Sequence, residues 1–557
     1  MNVSSLTRRQ QWLLGGALVV GAALRIGHYL ARPSLSIDET MLALAVGPRS
    51  YHTLWQPLDY AQTAPPLFLW CLRFAVGLGG VNEYALRMLS LAAGVIMLPL
   101  LWRLARRLVT PDWAIFTVAL AALAPALVQF SVIAKPYITD ATVSLALVVI
   151  ALQLADHPDD RRAWWGLGAV GVIAALGSVT APFVLAGIGG VVAWSQRRNR
   201  AALARVVLCG AVWSAVFVPV YIKLYAPVAH APYMLQFWDS AFFAPAHPAS
   251  WRRLGEGLLL ALIRRPAPGF VVPAFGLVLV LGLVALWRRA GREPTALIAA
   301  PFLLVVTASL LQRYPLAARL LLFLAPFSAV LVAAAVARLA QQQPRLGWVS
   351  AVVLLVLMAG IDITHPYGTP ATRAAVQLLE QLRQPGEPVY ISASANLSWA
   401  FYTTDWRRPD TNYLGAMARW AAPGGPAFHN APSRGRGVAP NEGDSLVWSR
   451  SGWQEVYGLA PGIQWREITR MTSYRPDSGW AEVEARRIRA AAAPTIWVFF
   501  AGAYVRTAPE LLGAVRTLGG APEFDRIAGG TRVYRFRFSG VSPEPRPRAG
   551  PSAASRN

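Results

Sequence analysis

Asp38 and Glu39 stand side by side in "PSLSIDETMLA", residues 33–43, just beyond an apolar stretch that ends near Leu30. A carboxylate at that place, beside apolar and aromatic segments able to exclude water, can act as a general base on a hydroxyl. A second group lies in "SVIAKPYITDATVS", 131–144, where Lys135, Tyr137 and Asp140 precede a long apolar run. Lys135 is the sole lysine in the first 222 residues of a chain that otherwise uses arginine. Ionisable groups at such a depth are costly and count as functional candidates. "LQRYPLAARLLLFLAPFS", 311–328, adds Arg313, Tyr314 and Arg319, the last one turn inside its apolar run. Lys135, Arg313 and Arg319 together compose a cationic set suited to phosphate oxygens. Each has a bland counterpart: a solvated acid pair, a lysine snorkelling to headgroups, an aspartate capping a helix.

The elements that must position these residues are membrane spans. The chain is 55% hydrophobic and 14% charged, with a mean hydropathy of +0.40 over 557 residues. Apolar stretches near 11–30, 85–107, 112–130, 138–155, 164–178, 181–195, 203–225, 269–287, 295–311, 317–337 and 347–362 predict about eleven transmembrane helices. The net charge of +24 would suggest nucleic acid in a soluble protein. Here the arginines sit in alternate short loops, at 103–107, 161–162, 197–200, 288–292 and 338–345. The positive-inside rule then makes the N-terminus cytoplasmic and gives no reason to expect a nucleic-acid partner. Segments 31–84, 226–268 and everything beyond about 363 face outward, the first two reading as interfacial loops.

From 366 to 540 the pattern changes to alternating helix and strand, with strands at "PVYISAS", "PTIWVFF" and "TRVYRFRF". A small extracytoplasmic α/β domain therefore follows a polytopic, all-α membrane domain spanning 1–365. Residues 405–445 read as a long irregular loop, and the tail 541–557 as disordered. Cys71 and Cys209 lie in apolar surroundings, and no metal-ligand spacing appears. No G-x-S-x-G, HExxH or P-loop supports a soluble hydrolase.

"SIDETMLA", "QTAPPLFLW", "NEYALRMLSLAAGVI", "AKPYITDA" and "RYPLAARLLLFLAP" follow one another in an order that resembles the membrane glycosyltransferases of the type C fold. The likeness is to the branch holding protein O-mannosyltransferases and aminoarabinose transferases, and covers roughly 1–365. It implies transfer of a sugar from a polyprenyl-phosphate donor to an acceptor on the outer face of a bacterial inner membrane. It also implies a catalytic set of Asp38, as the base, with Glu39 beside it and Asp140, and Lys135 near the donor phosphate. By the same likeness Arg87, Tyr137 and Tyr314 approach the donor phosphate. The position after Pro65-Pro66, which carries a charged residue in some members, is filled by "LFLW". A phosphate leaving group needs little protonation, so the cations suffice and no obligatory cofactor or metal is expected. The acceptor, whether protein, lipid or glycan, is open. The competing reading is a transporter of lipid-linked saccharides, which needs the cations but gives Asp38 no task.

Overall fold

The computed structural model describes residues 6–364, 368, 371–422, 446–450, 453–458, 479–491, 493–502 and 508–539. The expected tail from 541, and the 405–445 loop beyond 422, lie outside them; the described part of that loop is not irregular throughout, since Thr411–Trp420 is a helix capped by Asp410. The chain divides into two units, Met1–Gly368 with Trp406–Pro409, and Thr369–Asp405 with Asp410–Asn557.

The first unit is helical. It contains α1 Arg8–Leu30, α2 Ile37–Val46, α3 Pro66–Gly79, α4 Glu83–Leu108, α5 Pro111–Leu123, α6 Pro125–Phe130, α7 Tyr137–Asp156, α8 Arg161–Gly177, α9 Ala181–Ser195 and α10 Arg200–Val220. A π-helical turn, Tyr221–Tyr225, carries α10 into α11 Ala226–Ala229, followed by α12 Pro232–Trp238 and α13 Pro248–Ile263. Then come α14 Val271–Ala290, α15 Arg292–Leu310, a 3₁₀ turn Ala318–Leu324 leading into α16 Ala325–Gln342, and α17 Pro344–Thr364.

Among the described residues, 8 helical segments are long and apolar enough to cross a membrane. All eleven expected stretches are helical, but three fall short of that length. Helices α8 and α9 have 17 and 15 residues. The expected 112–130 span is two helices, because Pro125 brings no N–H and forces Ala124 to an extended ψ of 115°.

Contacts at helix ends fix the alternation. Gln10 Nε2 donates to Asp112 at 2.9 Å, joining the starts of α1 and α5, and Arg107 pairs with Asp156 at 3.4 Å, joining the ends of α4 and α7. At the opposite ends Tyr29 Oη donates to the Tyr84 carbonyl at 2.9 Å, and Arg32 pairs with Glu83 at 3.0 Å. Following the helices in turn puts Arg161, Arg200, Arg288, Arg292 and Arg345 at the Asp112/Asp156 side. Asp38, Lys135 and Arg319 fall at the other.

The second unit is a six-stranded sheet in the order β2-β3-β1-β4-β6-β5. Its strands are β1 Val389–Ile391, β2 Val447–Arg450, β3 Trp453–Tyr457, β4 Thr495–Ala501, β5 Gly520–Ala528 and β6 Thr531–Phe538. β1 runs parallel to both β3 and β4, whereas β2–β3, β4–β6 and β5–β6 are antiparallel. Helices α18 Thr372–Leu382, α19 Asn396–Thr403, α20 Thr411–Trp420, α21 Trp480–Ala490 and α22 Ala508–Thr517 complete it. Glu387, just before β1, accepts from Trp497 Nε1 at 2.7 Å, Thr495 Oγ1 at 2.9 Å and the Gln384 N–H at 3.0 Å, and pairs with Arg535. Burial pushes this carboxyl up, but those donors hold it below the usual range. One side chain thereby ties β1, β4 and β6 together.

Candidate active site

The start of α2 separates the two acids. Ser36 caps the helix: its hydroxyl accepts from the Glu39 N–H at 3.4 Å, while the Glu39 carboxylate accepts from the Ser36 N–H at 2.9 Å. That reciprocal pair turns Glu39 inward, where it is fully buried. Its oxygens also take Arg87 Nε at 2.8 Å, Arg87 Nη2 at 3.0 Å, the Ala134 N–H at 2.8 Å and the Ser36 hydroxyl at 3.0 Å. Successive helical residues diverge by roughly 100°, so Asp38 faces elsewhere. Its Oδ2 lies 2.7 Å from Arg319 Nη1, and both side chains are about one-third exposed, at 34% and 36%.

Lys135 occupies the turn between α6 and α7, outside the spanning helices. Ser90 on α4 shapes the turn by donating to the Ile133 carbonyl at 2.7 Å, and Glu39 holds it through Ala134. Lys135 is only 4% exposed and its Nζ donates to Gln62 Oε1. Burial pushes the ammonium down to about 8, with Asp38 raising it, Arg319 lowering it and Glu39 raising it. Residues 38, 135 and 319 therefore share one electrostatic environment. Trp238 of α12 lies against it, its ring centre 5.5 Å from the Arg319 guanidinium.

The remaining expected residues divide. Tyr137 packs edge-on to Phe130 at 5.3 Å and shares the environment of Arg319, Asp38 and Asp140. Asp140 is buried on α7, with the Ser178 hydroxyl and Val179 amide facing its carboxylate and Oδ1 without a partner. Tyr314 is buried and donates to the Leu320 carbonyl at 2.9 Å. Arg313 is turned away, its Nη1 2.7 Å from His230 Nε2. Arg87, expected at a phosphate, is 1% exposed beneath Glu39, and its Nη1 donates to the Pro33 carbonyl at 2.6 Å. Of the six residues expected at the phosphate, Arg319 contacts Asp38 and Lys135 is within its electrostatic reach, whereas Arg313 meets His230 and Arg87 pairs with Glu39.

Two polar residues in the same framework were not among the expected site residues. Gln62 is uncharged and sits in a loop. Arg25 lies within the first apolar stretch, wholly buried, and donates to Ser131 Oγ and to the carbonyls of Gly21, Ala121 and Ala122 at 2.9–3.1 Å. It thus caps α5 where the break at Ala124 leaves carbonyls without helical partners.

Residues 63–222 match the family model described as dolichyl-phosphate-mannose-protein mannosyltransferase. No curated protein sequence matches the chain. Among solved structures, ArnT from Cupriavidus metallidurans bound to undecaprenyl phosphate is similar over 97% of this chain and 99% of that one, with a TM-score of 0.51 at 14% identity. The chain has the type C glycosyltransferase fold. The apo form of the same ArnT gives a TM-score of 0.49 at 15% identity over 94% and 98% of the two chains. Archaeoglobus fulgidus AglB, an oligosaccharyltransferase in complex with an inhibitory peptide and a dolichol-phosphate, gives 0.49 at 12% identity over 97% and 75%. Within this fold, the family match takes in Arg87, Lys135, Tyr137 and Asp140 and omits Asp38, Glu39 and Arg319. The Asp38–Arg319 contact joins two residues that both lie outside the matched segment.

Proposed function

We propose that the protein is an inverting glycosyltransferase that moves a sugar from a polyprenyl-phosphate carrier to an acceptor hydroxyl on the extracytoplasmic face of a bacterial inner membrane. The observation that carries this reading is the accessible Asp38–Arg319 pair at 2.7 Å, within electrostatic reach of Lys135. The ArnT structure of the same fold, which holds undecaprenyl phosphate, supports a lipid-phosphate donor. Nucleotide sugars are cytoplasmic, so a site on the outward side requires a donor that has already crossed. The arginine-rich turns at the other end support that orientation, with the N-terminus cytoplasmic and the second unit outside.

In the proposed reaction, Lys135 and Arg319 bind the donor phosphate, and Arg319 leaves Asp38 to do so. Asp38 then takes the proton of the acceptor hydroxyl as its oxygen bonds to the anomeric carbon. The bond from that carbon to the phosphate oxygen breaks, its electron pair stays on the phosphate, and the two cations stabilise the growing charge. Tyr137 lines the approach, and Asp140 and Tyr314, buried behind it, act as positioning residues. Glu39 and Arg87 act as positioning residues.

The test is transfer from a panel of radiolabelled polyprenyl-phosphate sugars with purified protein and membrane extract as acceptor pool. Wild type is expected to move label, and Asp38→Asn to lose on the order of 10²-fold or more while still binding polyprenyl phosphate. If no label moves while both proteins carry the lipid across liposome leaflets, the transporter reading replaces this one.

A further inference from the structure

Among the described residues, the Lys135 ammonium is held by a single hydrogen bond, to Gln62. Gln62 lies just before Pro65-Pro66, in a turn whose preceding residues Tyr60 and Ala61 both have left-handed backbones, φ +61° and +52°. Neither is glycine, so the conformation is strained and persists only because its surroundings impose it. The Gln62 N–H donates to the Asp59 carbonyl at 3.2 Å, and Arg49 pairs with Asp59 at 3.1 Å. The orientation of the Gln62 amide is also determined. Its Nε2 faces two acceptors, Met41 Sδ at 3.2 Å and the Tyr60 carbonyl at 3.2 Å, which leaves Oε1 for the Lys135 ammonium.

An ammonium has three N–H donors. Among the described residues, Lys135 Nζ gives one to Gln62 and has no other hydrogen-bond partner. The others are available to ligand oxygens.

We propose that Gln62 is a positioning residue for the donor phosphate: it keeps the Lys135 ammonium charged and directed so that its remaining N–H groups meet the phosphate oxygens. The proposal rests on the reading of Lys135 as part of the donor site. Burial works against charge on Lys135, as does Arg319 on the 3₁₀ turn; Asp38 and Glu39 on α2 favour it. Tyr137, at the start of α7, is a phenol and so uncharged at neutral pH. An amide oxygen accepting from the ammonium adds to the favourable side, because a hydrogen bond made only to the charged form stabilises that form.

Lys135 and Lys223 are the only lysines in the chain, which makes a direct measurement practicable. The full-length protein, with lysine labelled at Cε, is titrated by NMR in detergent micelles as wild type, Gln62→Ala and Gln62→Glu, with Lys135→Arg to assign the resonance. Wild-type Lys135 is expected to titrate near pH 8, about the value its burial sets. Gln62→Ala is expected to move the midpoint down by on the order of one pH unit, and Gln62→Glu to move it up. A folded Gln62→Ala whose Lys135 midpoint is unchanged overturns the proposal. Undecaprenyl phosphate is then added at pH 7. Wild type is expected to show a Lys135 shift that saturates, and Gln62→Ala to need several-fold more lipid; equal affinity in the two also overturns it. If wild-type Lys135 does not respond to the lipid at any concentration, the donor-site reading fails, while the titration alone still judges the Gln62–Lys135 contact.

Discussion

Two carboxylates adjacent in sequence have opposite fates at residue scale, and substitution separates them. Asp38 is in an accessible ion pair, of a kind that contributes at most about 1 kcal/mol. Asp38→Asn should therefore abolish transfer with little change in melting temperature. Glu39 is buried in a salt bridge with buried Arg87. Glu39→Gln leaves that guanidinium without its counter-charge, and the expected loss is about 3–5 kcal/mol. Thermal unfolding of the two variants in the same detergent checks this contrast. A stable Glu39→Gln with reduced turnover would move Glu39 from the framework to the reaction. The sequence made both acids visible, because any ionisable residue in so apolar a chain stands out. Their division was not visible, since it depends on Ser36 capping α2 and on Arg87 and Ala134 being brought to the same place. Gln62 was missed for the converse reason: an uncharged side chain in a loop gives no signal until its partner is known.

At the scale of elements, hydropathy located the apolar segments well, because length and composition decide whether a helix can cross a bilayer. It failed at residues 112–130, where Pro125 divides one apolar stretch into α5 and α6. It also passed over β2 and β3, which pair with each other and join the sheet through the parallel pairing of β3 with β1, about sixty residues earlier. The α5–α6 break requires close approach from α4. A Cβ on Gly94 would collide with Ser131 Oγ and lie 3.4 Å from Arg25 Nε. Gly94→Val should therefore push Ser131 from Arg25 and disturb the turn that carries Lys135. The expected cost is about 1–3 kcal/mol, as for other overpacked interiors, read by thermal unfolding, together with weaker binding of undecaprenyl phosphate. Substitution at Gly15 or Gly16, which have open space around them, serves as the control.

At the scale of the molecule, the arginine-rich ends and the site residues occupy opposite ends of the helices. Cysteine placed at Ser50, in a Cys71→Ser and Cys209→Ser background, should react with an impermeant maleimide in intact spheroplasts. Cysteine at Asn199 should react only after lysis. The reverse pattern would invert the orientation and remove the need for a donor that has crossed the membrane. Arg25 adds a constraint on how the molecule is made. It stands in α1, yet its partners Ala121, Ala122 and Ser131 are about a hundred residues downstream. An arginine at the centre of a spanning helix costs roughly 2.5–3.5 kcal/mol during insertion; Arg25, nearer the end of α1, carries part of that cost, so α1 enters the bilayer at a disadvantage. That disadvantage lasts until α5 and α6 are synthesised, which makes the seating of α1 a late step of biogenesis and the nascent chain short of residue 131 its most vulnerable stage.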